Sequence, residues 1–599
     1  MRNMRWMKFV QALLLLLMGR FFGADAVVFL WPQPQSISWG TGPPIHVSPK
    51  SLQLICPSHP DLQKATHYYT THIFTERWFP VQVSHLHPTN VNEASEYCLE
   101  ALEIIVADLN ADLQHGVDES YNLTVPDEGG VATLAAKTVW GAIHGLETFS
   151  QLIRLTKNER DAESVIERGV VILDKPNFPH RGILLDTSRN FFSKEHILRT
   201  IRALGYNKLN VFHWHITDSQ SFPIALPSEP TLAEKGSYGH NYIYSQKDVE
   251  EIVSYARAFG IRVIPEVDMP GHSSSWGGAY PEIVVCNNQF WLRPGATDPS
   301  DAYAYEPTPG QLNPLLSKTY EVVKNVVKDV SKMFPDQFYH AGADEINILC
   351  WENNTIIQEY INKGNKLKDA LTKFINTTKE YILSHNKTAI YWADVIISDT
   401  VKADQSAVPP QSSILQTWNG GPLDSKALIN KGYRIIVSHY DWYYLDCGHG
   451  QWMGKDPNFD QDFNDDPHNY YNWAPGGDAS GTAGDWCPPY KTWARIYDYD
   501  LTARMSVREA KMVLGGEVAL WTEQVDETVL DSRLWPRSSA LAESLWSGNR
   551  DKASGKKRTG TAIDRLNDWR FHMVKRGIMA EPLQPLWCLK NPQQCDFTW

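Results

Sequence analysis

Beyond His180 the chain alternates between short apolar runs and longer amphipathic segments. Residues 246–259 carry apolar side chains every three or four positions, as on one face of a helix, and Gly260 follows as a stop signal. Residues 315–334 repeat this spacing and end before Pro335. Strands that alternate with helices are typical of a parallel sheet. The predicted strands are residues 182–186, 209–213, 261–267, 337–340, 389–393, 414–418, 433–438 and 513–521.

Eight strand-and-helix repeats predict an α/β fold whose main unit, residues 178–599, is a (β/α)8 TIM barrel. An open, doubly wound sheet is the alternative, and eight repeats over about 400 residues favour the barrel. One segment, residues 447–490, breaks the rhythm because it is rich in Gly, Pro, Asp, Asn and Trp without periodicity. It follows the seventh predicted strand, so we expect it to hang over the catalytic face of the barrel.

The N-terminus has the layout of a secretory signal. Basic residues precede a leucine-rich run at residues 12–18, and Ala24-Asp25-Ala26 has the small-residue form of a cleavage site. The apolar run is too short to span a bilayer, which favours a signal peptide at residues 1–26 over an uncleaved anchor. No later segment approaches about 20 unbroken apolar residues, so no transmembrane segment is expected after signal removal.

A smaller domain is predicted between the signal and the barrel, at residues 27–177. Apolar and β-branched runs at 103–106 and 131–134 indicate strands, and residues 139–155 show helical spacing. This mixture predicts an α+β domain with a small sheet. Residues 177–180, Asn-Phe-Pro-His, are the predicted linker into the barrel.

The amino-acid composition disfavours some classes of binding partner and favours others. The 56 basic and 69 acidic residues leave a net charge of −13, which disfavours nucleic acid or an anionic membrane as the main partner. The chain also contains 22 Trp and 26 Tyr, more than a core requires. This aromatic content is typical of pockets for flat, partly apolar ligands.

Cysteines and sequons agree with an oxidising compartment. The eight cysteines contain no C-x-x-C pair, which favours disulfides over a zinc cluster. Pairing in order of appearance is the simplest connectivity, although many others are open. The cysteines are Cys56, Cys98, Cys286, Cys350, Cys447, Cys487, Cys588 and Cys595. The predicted glycosylation sites are Asn122, Asn353, Asn376 and Asn386.

Charged and aromatic residues gather where the predicted strands end. A barrel places its chemistry at the carboxyl ends of its strands, so we expect one shared pocket there. Indole faces can stack on the C–H face of a pyranose, while carboxylates and an arginine bind hydroxyls, and this mixture suits a sugar. The strand-end segments are Asp186–Arg189, His213–Asp218, Glu266–His272, His340–Glu345, Trp392–Asp394, Trp418, Tyr440–Asp446 and Glu517–Glu523.

Asp344 and Glu345 provide two adjacent carboxyl groups. Cleavage of a glycosidic bond needs a proton donor for the leaving oxygen and a nucleophilic or anionic group at the anomeric carbon. In a regular strand the two side chains would point to opposite faces, but a turn at the strand end lets both reach the pocket. A solvated surface turn is the alternative for an isolated Asp-Glu pair.

The motifs around Asp344 and Glu345 favour an active site over a solvated surface turn. The segments RGILLDTSRN, NVFHWHITDSQSFP, EVDMPGH, HAGADE and GGEVALWTE resemble the β-N-acetylhexosaminidases of glycoside hydrolase family 20, from about Trp31 to Trp546. The resemblance implies a small α/β domain before a catalytic (β/α)8 barrel. It points to eukaryotic secreted, lysosomal or vacuolar members, and the aromatic insertion at 447–490 is similar to plant enzymes.

The resemblance implies a mechanism in which the substrate's own 2-acetamido oxygen is the nucleophile. Glu345 would be the general acid and then the base, and Asp344 would hold the acetamido N–H. Tyr444 would hydrogen-bond the acetamido oxygen. No cofactor is implied. The expected substrates are terminal GlcNAc, and also GalNAc, on N-glycans or chitooligosaccharides. A homodimer is expected by resemblance alone.

The remaining site residues also come from the resemblance. The expected sugar-binding residues are Arg189, Trp392, Trp418, Asp446, Trp521 and Glu523. The residues expected to support Asp344 and Glu345 are Asp218, Asp268, His272 and His340. Ala343 departs from the family pattern, which commonly has Gly there, and we expect the extra methyl group to be tolerated.

Two other functions are weighed against this interpretation. His213 and His215 lie two positions apart on one strand face and could bind zinc in a metal-dependent barrel hydrolase. Trp214 separates them and no further set of strand-end ligands completes such a site, so a metal is not expected. A sugar-binding protein without activity would be expected to lose an acid, and both acids are present.

Overall fold

The computed structural model describes residues 29–76, 96–155, 163–296, 299–450, 452, 487, 489–591 and 594–595. The predicted signal peptide lies outside the described residues. Most of the segment 447–490 does so as well. The described residues form a nine-stranded mixed sheet followed by a closed eight-stranded barrel, which confirms the predicted fold class.

The sheet of the first unit is covered by helices α1 (Pro60–Thr75) and α2 (Val139–Leu152). Helix α2 begins where the Thr138 hydroxyl accepts a hydrogen bond from the Gly141 N–H, and its residues are all buried. The predicted helix at 139–155 is therefore three residues too long, because residues 153–155 pair as a strand. The strands, in the sheet order β1-β9-β5-β6-β4-β2-β8-β7 with β3 beside β4, are β1 (Ser36–Ser38), β2 (Ile45–Val47), β3 (Gln53–Ile55), β4 (Cys98–Asp108), β5 (Tyr121–Val125), β6 (Gly130–Thr138), β7 (Ile153–Leu155), β8 (Ser164–Ile166) and β9 (Val170–Asp174).

All eight predicted barrel strands are present, in order and parallel. The largest shift is in the second strand, predicted at residues 209–213, because the chain still crosses from the preceding helix at Leu209. A short antiparallel pair, β13 (Val284–Val285) and β14 (Gln311–Leu312), is inserted after the third strand. The barrel strands are β10 (His180–Asp186), β11 (Val211–Thr217), β12 (Arg262–Val267), β15 (Phe338–His340), β16 (Thr388–Trp392), β17 (Ser413–Thr417), β18 (Arg434–Val437) and β19 (Val513–Leu520).

Helices surround the barrel, and amphipathic spacing explains the longer ones. The helix predicted at residues 246–259 begins with a capping box between Ser245 and Asp248, and Gly260 takes a left-handed φ of 71° just after it. The described helices are α3 (Lys194–Tyr206), α4 (Pro230–Gly236), α5 (Gln246–Arg257), α6 (Ser317–Met333), α7 (Ile348–Glu352), α8 (Thr355–Asn362), α9 (Leu367–Ser384), α10 (Asp394–Ile397), α11 (Gly421–Asn430), α12 (Tyr440–Tyr443), α13 (Trp493–Asp498), α14 (Val507–Ala510), α15 (Leu530–Leu534), α16 (Arg537–Trp546), α17 (Thr559–Lys575) and α18 (Leu586–Lys590). None of these helices combines the length and apolarity needed to cross a bilayer.

A buried ion pair joins the sheet unit to the barrel. Glu119 accepts hydrogen bonds from Arg181 on β10, at 2.6 and 3.0 Å, and from Asn210 at 3.1 Å. His144 on α2 contacts the same carboxylate at 2.9 Å. The Glu119 carboxylate is thus fully paired although it is buried, which is the condition for a buried charge to persist.

Inside the barrel, the inward-facing side chains of the strands are arranged in layers. Inward positions recur every second residue, so an apolar layer at the amino ends is followed two residues later by a polar one. On β19 the step from Leu514 to Glu517 is three residues, where the register between β18 and β19 shifts. The apolar layer contains Val211, Ile264, Phe338, Ile390, Ile414, Ile436 and Leu514. The polar layer contains His213, Glu266, His340, Trp392, Gln416 and Glu517, all buried. This polar layer supports the strand ends from below.

Three disulfides are present: Cys286–Cys350, Cys447–Cys487 and Cys588–Cys595. The predicted fourth pair is wrong, because Cys56 and Cys98 are free thiols. Strands β3 and β4 are parallel with Ile55 beside Glu103, which displaces the two cysteines along the strands by more than about 15 Å. A disulfide needs Cα atoms within about 7 Å. Counting cysteines cannot detect this register.

Candidate active site

The acidic pair lies in a turn that follows β15. Gly342, Ala343 and Glu345 have φ values of 60°, 76° and 51°, so the chain leaves the extended conformation immediately after the strand. The turn brings both carboxyl groups to one side: Asp344 Oδ2 and Glu345 Oε2 lie 3.9 and 3.3 Å from the same atom, Nε2 of His272. The Ala343 N–H donates to Asp268 Oδ1 at 2.9 Å, which holds the turn in place.

Glu345 stands at the end of a chain of charged groups. His272 Nδ1 contacts Asp218 Oδ1 at 3.0 Å, and its other ring nitrogen faces Glu345. Burial alone would lower the pKa of His272, but the Asp218 carboxylate outweighs it and raises this pKa well above its ordinary value. Burial likewise opposes ionisation of Asp218, yet Arg189 and His272 hold its pKa well below the usual range. The raised pKa of His272 thus favours a positive charge 3.3 Å from the Glu345 carboxyl group.

Unlike Asp218, Asp344 has surroundings that disfavour ionisation of its carboxyl group. Burial and then the neighbouring Asp268 carboxylate raise the pKa of Asp344 well above its ordinary value. Burial also raises the pKa of Asp268. Two carboxyl groups this close do not both ionise readily, so the pair keeps one proton to higher pH than an isolated aspartate would and still carries one negative charge. Asp344 Oδ1 is buried without a hydrogen-bond partner among the described residues, as expected of an acceptor that waits for a ligand N–H.

Aromatic rings form the wall beside the acids. Trp392 is fixed by its indole N–H, which donates to Glu266 Oε1 at 2.8 Å in the polar layer. Trp418 donates to Asp394 Oδ2 at 2.5 Å, and its ring lies parallel to that of Tyr444 with centroids 6.4 Å apart. Trp521 contacts the Tyr444 ring edge-on at 6.0 Å. Hydrogen bonds to carboxylates thus fix the Trp392 and Trp418 indoles, and ring contacts hold Tyr444 and Trp521 beside them.

Packing against neighbouring side chains holds the Tyr444 ring in place. It is buried in a cluster with Leu184, Trp392 and Ala519, and the Cys447–Cys487 disulfide packs in the same cluster. The disulfide thus fixes the segment that carries Tyr444 and Asp446. Burial, followed by the carboxylates around it, raises the pKa of the Tyr444 phenol well above 10, so the phenol keeps its proton for hydrogen bonding.

Arg189 lies at the other end of the pocket among carboxylates. Its guanidinium contacts Asp218 Oδ2 at 2.8 Å and Glu306 Oε1 at 2.6 Å, and the Trp521 ring lies 5.1 Å below it. Burial and then Glu306 raise the pKa of Glu523 well above its usual value, with Asp446 also close enough to contribute. Carboxyl groups flanking one arginine can both donate to and accept from sugar hydroxyls.

Three side chains beside the site are not among the catalytic or sugar-binding residues that the sequence predicts. Glu306, which accepts hydrogen bonds from two N–H groups of Arg189, lies in an irregular loop between β13 and β14 and belongs to no strand end or motif. Asp394 was recognised only as a polar strand-end residue, yet it receives the Trp418 N–H; burial and then Glu345 raise its pKa to about 6. Tyr305 lies half-exposed beside Glu345.

His340 lies one layer below the acids. Its Nδ1 is 3.0 Å from Glu266 Oε1 and 3.2 Å from the Gly342 nitrogen, so it supports the turn that carries the two acids. His213 contacts Glu517 and Glu266 through its two ring nitrogens, each at 2.9 Å. His215 contacts Glu266 at 2.7 Å and Asp218 at 2.9 Å.

The carboxylate contacts of His213 and His215 affect the protonation of these rings, on which the alternative of a metal site depends. Burial lowers histidine pKa values, but the carboxylates outweigh it and raise those of His213 and His215 to about 9 and about 10. These raised pKa values favour the protonated rings, and three of the four ring nitrogens have a carboxylate hydrogen-bond partner. The structure therefore assigns the two histidines to the hydrogen-bonded polar layer of the barrel interior.

The same pair predicts a pH dependence of stability. Between about pH 6.5 and pH 9 both histidines are protonated in the folded protein and neutral in the unfolded chain, whose histidine pKa is about 6.5. The folded state binds more protons, so the free energy of unfolding should fall as pH rises, by up to about 1.4 kcal/mol per pH unit for each histidine. Calorimetric melting across this range checks it, and a melting temperature that is flat or rises with pH would contradict it.

Comparison with known proteins agrees with this geometry. Residues 178–549 match the family model described as glycosyl hydrolase family 20, catalytic domain, and residues 30–152 match the model described as beta-acetyl hexosaminidase like. The chain is 37% identical over 579 residues to Beta-hexosaminidase 1 of Coccidioides posadasii, covering 94% of each protein. It is 36% identical to the chitooligosaccharidolytic beta-N-acetylglucosaminidase of Ostrinia furnacalis, covering 80% of this chain and 75% of that protein.

A solved structure gives the same result for the fold. The chitobiase of Flavobacterium johnsoniae superposes with a TM-score of 0.67 at 25% identity, covering 92% of this chain and 73% of that one. The family match spans every barrel strand and the whole pocket described above. The chain belongs to glycosyl hydrolase family 20.

Proposed function

We propose that the protein is a β-N-acetylhexosaminidase that releases terminal, non-reducing N-acetyl-D-hexosamine by substrate-assisted, retaining catalysis. One observation carries the proposal: Asp344 and Glu345 converge on His272 Nε2 while differing in their surroundings. Asp344 is 14% exposed and lies beside another acid, Asp268, whereas Glu345 is 25% exposed and ends a charge chain through His272. Two carboxyls with different environments suit two roles.

Binding places the sugar against the aromatic wall. The C–H faces of the pyranose stack on the indoles of Trp418 and Trp521, with Trp392 behind the acetamido group. Arg189 binds ring hydroxyls, and Glu523 and Asp446 take the 4- and 6-hydroxyls. These contacts fix the anomeric carbon near Glu345 and the acetamido group near Asp344, which converts the first step into a reaction between preoriented groups.

In the first step the acetamido oxygen attacks the anomeric carbon while Glu345 protonates the leaving oxygen. The glycosidic bond breaks and an oxazolinium ring forms. Positive charge then develops on the amide nitrogen, and Asp344 stabilises it through the N–H, while the Tyr444 hydroxyl orients the attacking oxygen. Glu345 is left as a carboxylate beside His272.

In the second step water opens the ring. Glu345 accepts a proton from this water as the new C–O bond forms at the anomeric carbon, and the acetamido group is restored. His272, itself held by Asp218, keeps the Glu345 carboxylate aimed at the water. Two inversions at one carbon give overall retention.

The direct test is sugar release from a panel of glycans by the purified protein. Terminal β-linked GlcNAc should be released from N-glycan ends and chitooligosaccharides, with GalNAc also accepted, whereas matched glucosides with a 2-hydroxyl should be inert. Cleavage of only those substrates that lack the 2-acetamido group would refute the proposal. Binding without release would favour a sugar-binding protein instead.

A charged substituent on the 6-hydroxyl should be rejected. Asp446, Glu523 and Glu306 crowd one end of the pocket with carboxyl groups, so a 6-sulfate would meet like charge. We expect kcat/KM for a 6-sulfated glucosaminide to be roughly tenfold or more below that of the neutral substrate, with a partial recovery in Asp446→Asn. Equal kcat/KM values for the two substrates would contradict this assignment of the acidic end.

We also propose entry into the secretory pathway through the signal at residues 1–26, with delivery to the extracellular space or to a vacuole or lysosome. Three disulfides support an oxidising compartment. N-terminal sequencing of the mature protein should then begin at residue 27. We further propose that the first domain ends at residue 177 and that the barrel domain begins at residue 178. We also propose that the protein is a homodimer, which light scattering can test.

A further inference from the structure

The sheet of the first unit has one covered face and one open face. Helix α2 and helix α1 pack on the first, where side chains such as Leu123, Leu134 and Ile172 are fully buried. The other face presents large apolar side chains to solvent, each 41–51% exposed: Ile55, Ile105, Val131, Val171 and Leu173. Polar side chains of the same face, Glu103, Thr124 and Thr133, lie between some of them. The face therefore suits a covering group that has both apolar and polar sides.

A predicted glycosylation site lies in the middle of this open face. Asn122 on β5 is exposed and pairs with Leu173 on β9 and with Ala135 on β6. Ala135 in turn pairs with Ile105 on β4. Strands lie about 4.8 Å apart, so Leu173 and Ala135 flank Asn122 directly and Ile105 lies about 10 Å away in the same row.

The sequon itself matches the pleat. Thr124, which completes Asn-Leu-Thr, lies two residues after Asn122 and therefore on the same open face. It pairs with Val171 on one side and Thr133 on the other. The middle residue, Leu123, points into the core. An attached sugar would leave the sheet from Asn122 with apolar side chains on either side.

We propose that Asn122 carries an N-linked glycan whose first GlcNAc lies over Leu173, Ala135 and Ile105 and covers the apolar face of the sheet. The chemistry fits because a pyranose has an apolar C–H face and the acetamido group ends in a methyl, while the hydroxyls remain in water. A glycan is also hydrophilic enough to keep this face from pairing with another protein.

A second sequon offers a matched control. Asn376 lies on the exposed face of α9, where its side chain contacts Lys379 and exposed charged residues, Lys373 and Glu380, stand three positions before and four after it. A glycan there would cover polar surface. Loss of a glycan at Asn376 should therefore expose no additional apolar surface.

The experiment uses the full chain secreted from a eukaryotic host. Asn122→Gln and Thr124→Val remove the sequon, Thr124→Ser retains it, and Asn376→Gln is the control. Peptide mass mapping before and after glycosidase treatment measures occupancy at each site. Fluorescence of an apolar-surface dye and the melting temperature measure what the glycan covers.

We expect Asn122 to be occupied in the parent protein and in Thr124→Ser. Both sequon-free variants should bind roughly twofold or more dye and melt a few degrees lower, with kcat unchanged. Asn376→Gln should match the parent in dye binding and melting. An unmodified Asn122 would overturn the proposal, and so would a modified Asn122 whose removal leaves both dye binding and melting temperature unchanged.

Discussion

Replacing Glu345 with Gln should lower kcat for an ordinary N-acetylglucosaminide by roughly 10²–10⁴-fold. Glutamine has nearly the same shape but cannot protonate the leaving oxygen in the first step or take a proton from water in the second. Because the side chain is partly exposed and the neighbouring contacts are to His272, the substitution should leave the melting temperature nearly unchanged. Steady-state kinetics beside a melting curve measures both.

A change of leaving group separates the two roles of Glu345. A dinitrophenyl leaving group departs without protonation, so Glu345→Gln should release it in a rapid burst and then stall at hydrolysis. The matched control is Glu352→Gln, an exposed glutamate on α7, which should retain parent kinetics. A Glu345→Gln enzyme that keeps kcat within a few-fold of the parent would remove this residue from the mechanism.

Asp344→Asn should cost roughly 10²–10³-fold in kcat because the charge that stabilises the developing oxazolinium is lost. Asparagine can still accept the acetamido N–H, so binding of the product GlcNAc should weaken far less than turnover. Among the described residues Asp344 Oδ1 has no hydrogen-bond partner, and we assign this buried atom to the acetamido N–H. Isothermal titration with GlcNAc beside kinetics makes the comparison.

Two further variants make this result specific. Asp399→Asn changes an exposed aspartate outside the pocket and should have no effect. Tyr444→Phe removes the hydroxyl that orients the acetamido oxygen and should lower kcat in the same direction. Equal losses of GlcNAc binding and turnover in Asp344→Asn would mean that Asp344 contributes only uniform binding, contrary to the account.

The barrel could be predicted from the sequence because its strands are short, continuous apolar runs separated by amphipathic helices. The site could be located because carboxylates and indoles cluster at strand ends. Neither pattern reveals the turn at residues 342–345, where even Ala343 adopts a left-handed φ of 76°. Ala343 is buried there, with its N–H bound to Asp268. That its methyl group is tolerated stays a prediction.

What the sequence could not predict depends on long-range register and on irregular loops. Glu306 reaches Arg189 across 117 positions from a loop without periodicity, so no local signal marks it. Cys56 and Cys98 belong to an even set of cysteines, but the offset between β3 and β4 separates them. The polar layer beneath the site was visible as single strand-end residues, whereas its connections through Glu266 and Glu517 appear only when the barrel is closed.

The central claim is that the substrate, and not an enzyme side chain, attacks the anomeric carbon. Its most direct test is a series of aryl glucosaminides whose acetyl methyl carries none, one, two or three fluorines. Each fluorine weakens the amide oxygen as a nucleophile, so kcat/KM should fall at every step of the series while the enzyme stays free of any covalent sugar by mass spectrometry. A flat series, together with a glycosyl adduct on any side chain, would contradict the account.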